Sequence, residues 1–165
     1  MRNYRLFTRQ LFLMGIFSGC GLFLSASHLL TGDITYQCIG NDNYVVTVTL
    51  YRDCSGMSAP TNVMLNASST SCASSFVHTM LPDGAPVEVS QVCPSQYSLT
   101  TCNGGSLMGY AKIVYSDTIQ MPAQCDDWVL SYSQCCRNPA ITNLQNPGSS
   151  DLYMEVLLNN SNGIC

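Results

Sequence analysis

Cysteine is the residue type in this chain with the most chemistry open to it. Ten occur in 165 residues. One, Cys20, lies in an apolar leader; the others are Cys38, Cys54, Cys72, Cys93, Cys102, Cys125, Cys135, Cys136 and Cys165. Thiols at this density persist as disulfides only outside a reducing cytosol. Eight of them, Cys38 to Cys136, are the disulfide candidates, and four bridges among eight cysteines allow about 105 connectivities. Zinc is the competing chemistry. No Cys-x-x-Cys pair occurs and His78 is the one internal histidine, so the spacing of a structural zinc site is missing. The adjacent Cys135-Cys136 pair can close on itself as a ring. Neighbours on an extended segment point to opposite faces, so bridges to two different partners are expected instead. Cys165 is left over, unpaired or paired with a segment beyond it, and a chain continuing past residue 165 is expected.

Other reactive groups are sparse. Glu88 and Glu155 are the only glutamates. They form a glycosidase-type pair only if the fold brings them within about 5–10 Å. Serines are plentiful, but no Gly-x-Ser-x-Gly elbow appears. With the cysteines committed to bridges, no catalytic residue and no cofactor are expected, and the chain reads as non-enzymatic. Asp126-Asp127, ahead of Trp128, offers two acids for calcium but lacks the alternating acidic loop of a calcium site, so no metal is expected.

Residues 1–27 read as a cleaved signal peptide. Arg2, Arg5 and Arg9 precede an apolar run over residues 11–24, and Ser25-Ala26-Ser27 supplies small residues for cleavage before His28. An apolar run of about fourteen residues is too short to span a bilayer. Phe17-Ser18-Gly19-Cys20 resembles a lipobox, but Phe17 stands where leucine is usual and residues 21–24 stay apolar. Simple cleavage is the expectation, with secretion and no membrane insertion afterwards. Residues 28–165 then carry three basic and ten acidic residues, a net charge of −7. Such a chain has no basic patch for phosphates, which excludes nucleic acid as a partner.

The elements that must position these residues read as strands. Residues 33–38 and 44–51 are β-branched and aromatic, and flank the turn Gly40-Asn41-Asp42-Asn43, which makes a hairpin. Further short strands are expected at 63–65, 74–81, 87–92, 97–101, 107–119, 128–133 and 152–158. Val46, Val48 and Leu50 share one face of the second strand. Trp128, Leu130 and Tyr132 share one face of a later one, with Trp128 the largest core residue. With no amphipathic helix and no repeat, the fold class is all-β. The expected fold is a disulfide-stapled antiparallel β-sandwich, Ig-like, forming a single domain over 28–165.

Three segments occur together: 26–38 ending in Thr35-Tyr36-Gln37-Cys38, then Leu50-Tyr51-Arg52-Asp53-Cys54, then Tyr132-Ser133-Gln134-Cys135-Cys136-Arg137-Asn138-Pro139. This pattern resembles the N-terminal domain of large secreted Bacteroidetes surface proteins, the gliding-motility-associated or PKD-domain proteins exported by type IX secretion. The resemblance covers nearly all of 28–165. It implies an N-terminal fragment of a longer protein, a cell-surface location beyond the outer membrane, and an adhesive or structural role. The implied partners are other extracellular domains of the same or another surface protein, and a glycan.

Arg52 and Arg137 are two of the three basic residues after the leader, and both sit beside cysteines. They read either as a clamp for an anionic ligand or as structural caps where a bridge pins a strand end. Arg52, Asp53, Trp128, Arg137 and Asn138 are the structural motif residues. Asp117-Thr118-Ile119 resembles the Bacteroidetes O-glycosylation pattern, with Thr118 as the acceptor.

Overall fold

A computed structural model describes residues 29–137 and 141–163. The signal segment, Cys20, His28, Asn138 and Cys165 lie outside the described residues. Eight strands follow in order: β1 (Leu29–Gly40), β2 (Asn43–Asp53), β3 (Val63–Ser69), β4 (Ser74–Met80), β5 (Val87–Glu88), β6 (Tyr110–Gln120), β7 (Trp128–Cys135) and β8 (Asp151–Leu158). They form two antiparallel four-stranded sheets, ordered β1-β2-β6-β5 and β4-β3-β7-β8. The fold is the all-β antiparallel sandwich that the alternation and turn chemistry predict.

The first hairpin shows the local logic. Asn41 and Asp42 both adopt left-handed backbone (φ 55° and 57°), behind Gly40 at φ 102°. Two successive left-handed residues twist a tight turn to match the strands it joins. The turn sets the register Gly40↔Asn43, and Tyr44, Val46, Val48 and Leu50 then all point inward. Opposite them Trp128, Leu130 and Tyr132 project from β7. Trp128 is fully buried, donates its indole N–H to the Ala123 carbonyl (3.2 Å), and meets Phe76 edge-on at 5.8 Å. A single apolar cluster joins both inner faces. At roughly 2 kcal/mol per buried large side chain, this cluster is the main favourable term in the fold.

Two expected strands take other forms. Residues 97–101 fall in 3-10 turns, Pro94–Leu99 and Thr101–Asn103. Pro94 fixes φ and lacks a ladder N–H, which favours a turn start over a strand. Of 87–92 only Val87–Glu88 pairs, with Lys112 and Ala111 of β6. Ahead of it, the Asp83 N–H donates to the Val114 carbonyl (2.9 Å), and the Ser116 N–H donates to Asp83 Oδ1 (2.8 Å). The open edge of β6 is therefore covered by irregular chain, which prevents edge-to-edge pairing.

Two bridges link distant segments: Cys54–Cys102 and Cys72–Cys125, with partners 48 and 53 positions apart along the chain. Cys38 is disulfide-bonded as well. Two expectations are corrected. Cys135 and Cys136 bond to each other rather than to different partners, with Cα atoms 3.4 Å apart. The strand ends at Cys135, and Cys136 turns to φ 112°, so the alternation that separates neighbouring side chains no longer holds there. Cys93 is not in a bridge; it is a free, exposed thiol at the start of the Pro94–Leu99 turn, and the other described cysteines are all bonded.

Candidate functional site

The antiparallel topology sorts the loops into two ends. The hairpin end carries the 40–43 turn, the β3–β4 turn and the approach to β7. The opposite end carries the ends of β2 and β7 and the long connection into β6. Both cysteine-flanked arginines lie at this second end, Arg52 in β2 and Arg137 just past the end of β7.

Arg52 follows Leu50 on the inward side of β2. It pairs with Ala111 of β6, which pairs in turn with Glu88 of β5. A guanidinium, a methyl and a carboxylate therefore stand in one row across three strands. The small Ala111 side chain leaves a cleft between the two charges, about 340 Å³ in volume and walled also by Cys54, Cys102, Pro86, Thr101 and Asn103. The Arg52 Nη2 donates to the Cys54 carbonyl (3.2 Å), the cap expected of an arginine beside a bridge. Its Nε is buried and meets no acceptor among the described residues. Next to it Asp53 Oδ1 accepts the Ser55 N–H (2.8 Å) and hydroxyl (2.7 Å), which turns the chain at Cys54.

Glu88 ties down the roof of the cleft. Its Oε1 accepts the hydroxyls of Ser90 (2.6 Å) and Thr100 (2.7 Å), and Oε2 accepts the Asn103 amide (2.7 Å). Hydrogen bonds from Ser90 first, then Thr100, hold its carboxyl below the usual range, so it is charged at neutral pH. Gly109 completes the roof. A Cβ there would stand 2.8 Å from Cys102 Sγ, so only glycine lets β6 begin against the bridge. The Gly109 N–H donates to Thr101 Oγ1 (3.0 Å), and its carbonyl accepts the Cys54 N–H (2.9 Å).

Arg137 follows the vicinal ring. Its N–H lies 3.1 Å from the Pro147 carbonyl and 3.0 Å from that of Ser150, which holds the loop back against the start of β8. The Arg137 Nε is also buried without an acceptor among the described residues. The two arginines therefore share a pattern but not a pocket.

The remaining sequence candidates separate. Glu88 lies at the β5 edge of one sheet and Glu155 on the β8 edge of the other, over β1 at the far side of the sandwich. Three strand spacings of about 4.8 Å separate β5 from β1, so the two carboxylates form no glycosidase pair. Glu155 instead accepts the Tyr153 hydroxyl (2.6 Å). Of Tyr36, Tyr51, Tyr97 and Tyr110, whose rings would have to share one open face to make a contact surface, Tyr51 and Tyr110 lie on the outer face of the first sheet. Tyr36 reaches the Leu157 carbonyl across the sheets, and Tyr97 lies in the 3-10 turn. They form no single cluster. Asp126 is exposed, while Asp127 accepts the hydroxyls of Ser69 and Ser71 (the latter at 2.6 Å) and the N–H groups of Thr70 (3.0 Å) and Ser71 (2.8 Å). These bonds pull its pKa down to about 2 and make it the anchor of the β3–β4 turn. His78 Nε2 meets Asp117 Oδ2 at 2.8 Å, joining the sheets, and this contact holds the Asp117 carboxyl below its ordinary value. Thr118, beside it, is exposed on the outer face of β6.

Sequence reading singled out Arg52 but missed the network around Glu88. Ser90, Thr100 and Asn103 carry no spacing signature; only the tertiary fold gathers them.

Comparison of the chain with models of protein families, with curated proteins and with solved structures finds no significant match. Among the described residues no helix is long and apolar enough to cross a membrane. Three disulfides among those residues are consistent with an oxidising compartment.

Proposed function

We propose that this chain is a non-enzymatic structural and adhesive module of an extracellular, surface-displayed protein, of the kind the Bacteroidetes resemblance implies. The observation that carries the reading is the contrast between spent and unspent groups. Asp117 and Asp127 both serve structural bonds. One end of the sandwich, by contrast, presents a cleft and exposed Leu99 and Met108. Exposed apolar side chains and a polar cleft at the same end have the composition of a contact surface. The partners are neighbouring extracellular domains or a surface glycan, and the exposure of Thr118 on the outer face of β6 supports a glycan attached there.

The test is a tagged chain expressed in a gliding Bacteroidetes host. Antibody should decorate the tag on intact cells, added protease should remove it, and deletion should reduce attachment to glass or agar. A tag inaccessible on intact cells, or attachment unaffected by deletion, defeats the reading. Intact-mass measurement with and without Thr118→Ala reports the glycan separately.

A second reading, a free secreted carbohydrate- or protein-binding domain, is favoured by the Arg52–Glu88 cleft. Recovery of the tag in the medium rather than on cells selects it.

A further inference from the structure

The row Arg52–Ala111–Glu88 holds two opposite charges apart. Adjacent strands stand about 4.8 Å from one another, so the Arg52 and Glu88 backbones are about 10 Å apart. Among the described residues no carboxylate lies within salt-bridge distance of Arg52, and the one ion pair is His78–Asp117. Of the five N–H donors of a guanidinium, one is engaged by the Cys54 carbonyl among those residues. At the other end, Glu88 has about four acceptor positions, and Ser90, Thr100 and Asn103 fill three of them. One acceptor position on Oε2 is left. Thr101 Oγ1 already accepts the Gly109 N–H, so its own proton is available to donate.

A ligand for this cleft needs a carboxylate at one end and a single hydrogen-bond donor at the other. A simple carboxylate satisfies Arg52 but places nothing on Glu88. An ammonium group carries three donors and meets one open acceptor, so a free amino acid turns two of them to water and gains only one bond on Glu88. A sugar acid fits both ends: the carboxylate takes the planar guanidinium fork, and ring hydroxyls donate to Glu88 and accept from Thr101. The Cys54–Cys102 bridge and Pro86 supply apolar wall for the ring faces. At about 340 Å³ the cleft holds one monosaccharide unit with room for its linkage.

We propose that the Arg52–Glu88 cleft binds a uronic-acid unit of an acidic polysaccharide, with its carboxylate on Arg52 and its hydroxyls on the Glu88 side. The assignment gives the surface module a ligand class and rests on that reading only for access to an extracellular glycan.

The experiment uses the oxidised, folded chain and glucuronate as the probe, followed by NMR shift changes and calorimetry. Glucuronate is expected to saturate on the order of 1 mM, with shifts at Arg52, Thr101 and Ala111. Glucose, acetate and glycine should each bind at least about tenfold more weakly. Arg52→Gln should weaken glucuronate by about tenfold or more, and Arg52→Lys, which keeps the charge but loses the fork, should fall between. Lys112→Gln, on the outer face, should bind as the unaltered chain does. Absence of saturation by about 50 mM, equal binding of glucose or glycine, or unchanged binding in Arg52→Gln overturns the assignment. Arg52→Lys and the ligand series keep the outcome decisive if Arg52→Gln unfolds. A failed titration with the tag still on the cell surface removes the ligand and spares the module. A bound uronate with the tag absent from the surface does the reverse.

Discussion

At the hairpin end of the sandwich, polar groups close on one another. Asp127 accepts four hydrogen bonds from the Ser69–Ser71 turn, and the buried Asn160 accepts the Cys125 N–H (2.8 Å) while donating to the Ala123 carbonyl (3.1 Å) and Asp42 (3.2 Å). At the opposite end Arg52 and Arg137 each keep a buried Nε without an acceptor among the described residues, and a cleft opens. Both ends contain cysteines, acids and small polar residues. They differ in whether each donor has met its acceptor. Stability concentrates where pairing is complete, and binding capacity where it is not.

The sharpest way to break the comparison is to cut the bridges. Cys72→Ser with Cys125→Ser should lower unfolding free energy by about 2–5 kcal/mol in urea melts, because the bridge closes a long loop. The vicinal ring spans a single peptide bond, so Cys135→Ala with Cys136→Ala should shift the same midpoint by less than about 1 kcal/mol. Equal losses would show that loop closure is not what separates the two kinds of bridge.

Next in size is Asn160→Leu. It leaves the buried Cys125 N–H without its acceptor and should lower stability by about 2 kcal/mol, again read from urea midpoints. A neutral result would mean that this end is not held by completed pairing.

A smaller effect concerns acid. Asp127 has a depressed folded-state pKa of about 2, from the hydroxyls of Ser69 and Ser71 and the backbone N–H of Ser71. A depressed carboxyl contributes stability above its unfolded pKa of about 4, and that contribution is lost as pH falls through about 2. Midpoints measured between those pH values should decline, and Asp127→Asn should flatten the decline. The smallest effect is expected from Arg52→Gln. It removes one cap at the open end and should change thermal stability little while altering ligand binding.

Much of the fold is legible in residue order. Alternation in 44–50 and 128–132 places Val46, Leu50, Trp128 and Leu130 inside, and Gly40-Asn41-Asp42 carries its turn chemistry openly. Residues 97–101 mislead, because a β-branched or aromatic type says nothing of the turn that Pro94 begins. The vicinal bridge is hidden for a related reason. Strand alternation argues against it, and only the change of backbone direction at Cys136 permits it.

The candidate site divides in the same way. Arg52 stands out because basic residues are few and this one adjoins a cysteine. Its distance from Glu88, the methyl of Ala111 between them, and the gathering of Ser90, Thr100 and Asn103 depend on register across three strands and on one loop folded over them. By itself the sequence determined the oxidising chemistry, the strand periodicity and the all-β class, because composition and alternation act through neighbours in the chain. Tertiary structure alone decided which cysteines meet, which acids are satisfied and where a charge is left unpaired. Those outcomes depend on contacts between residues tens of positions apart, whose geometry no local pattern encodes.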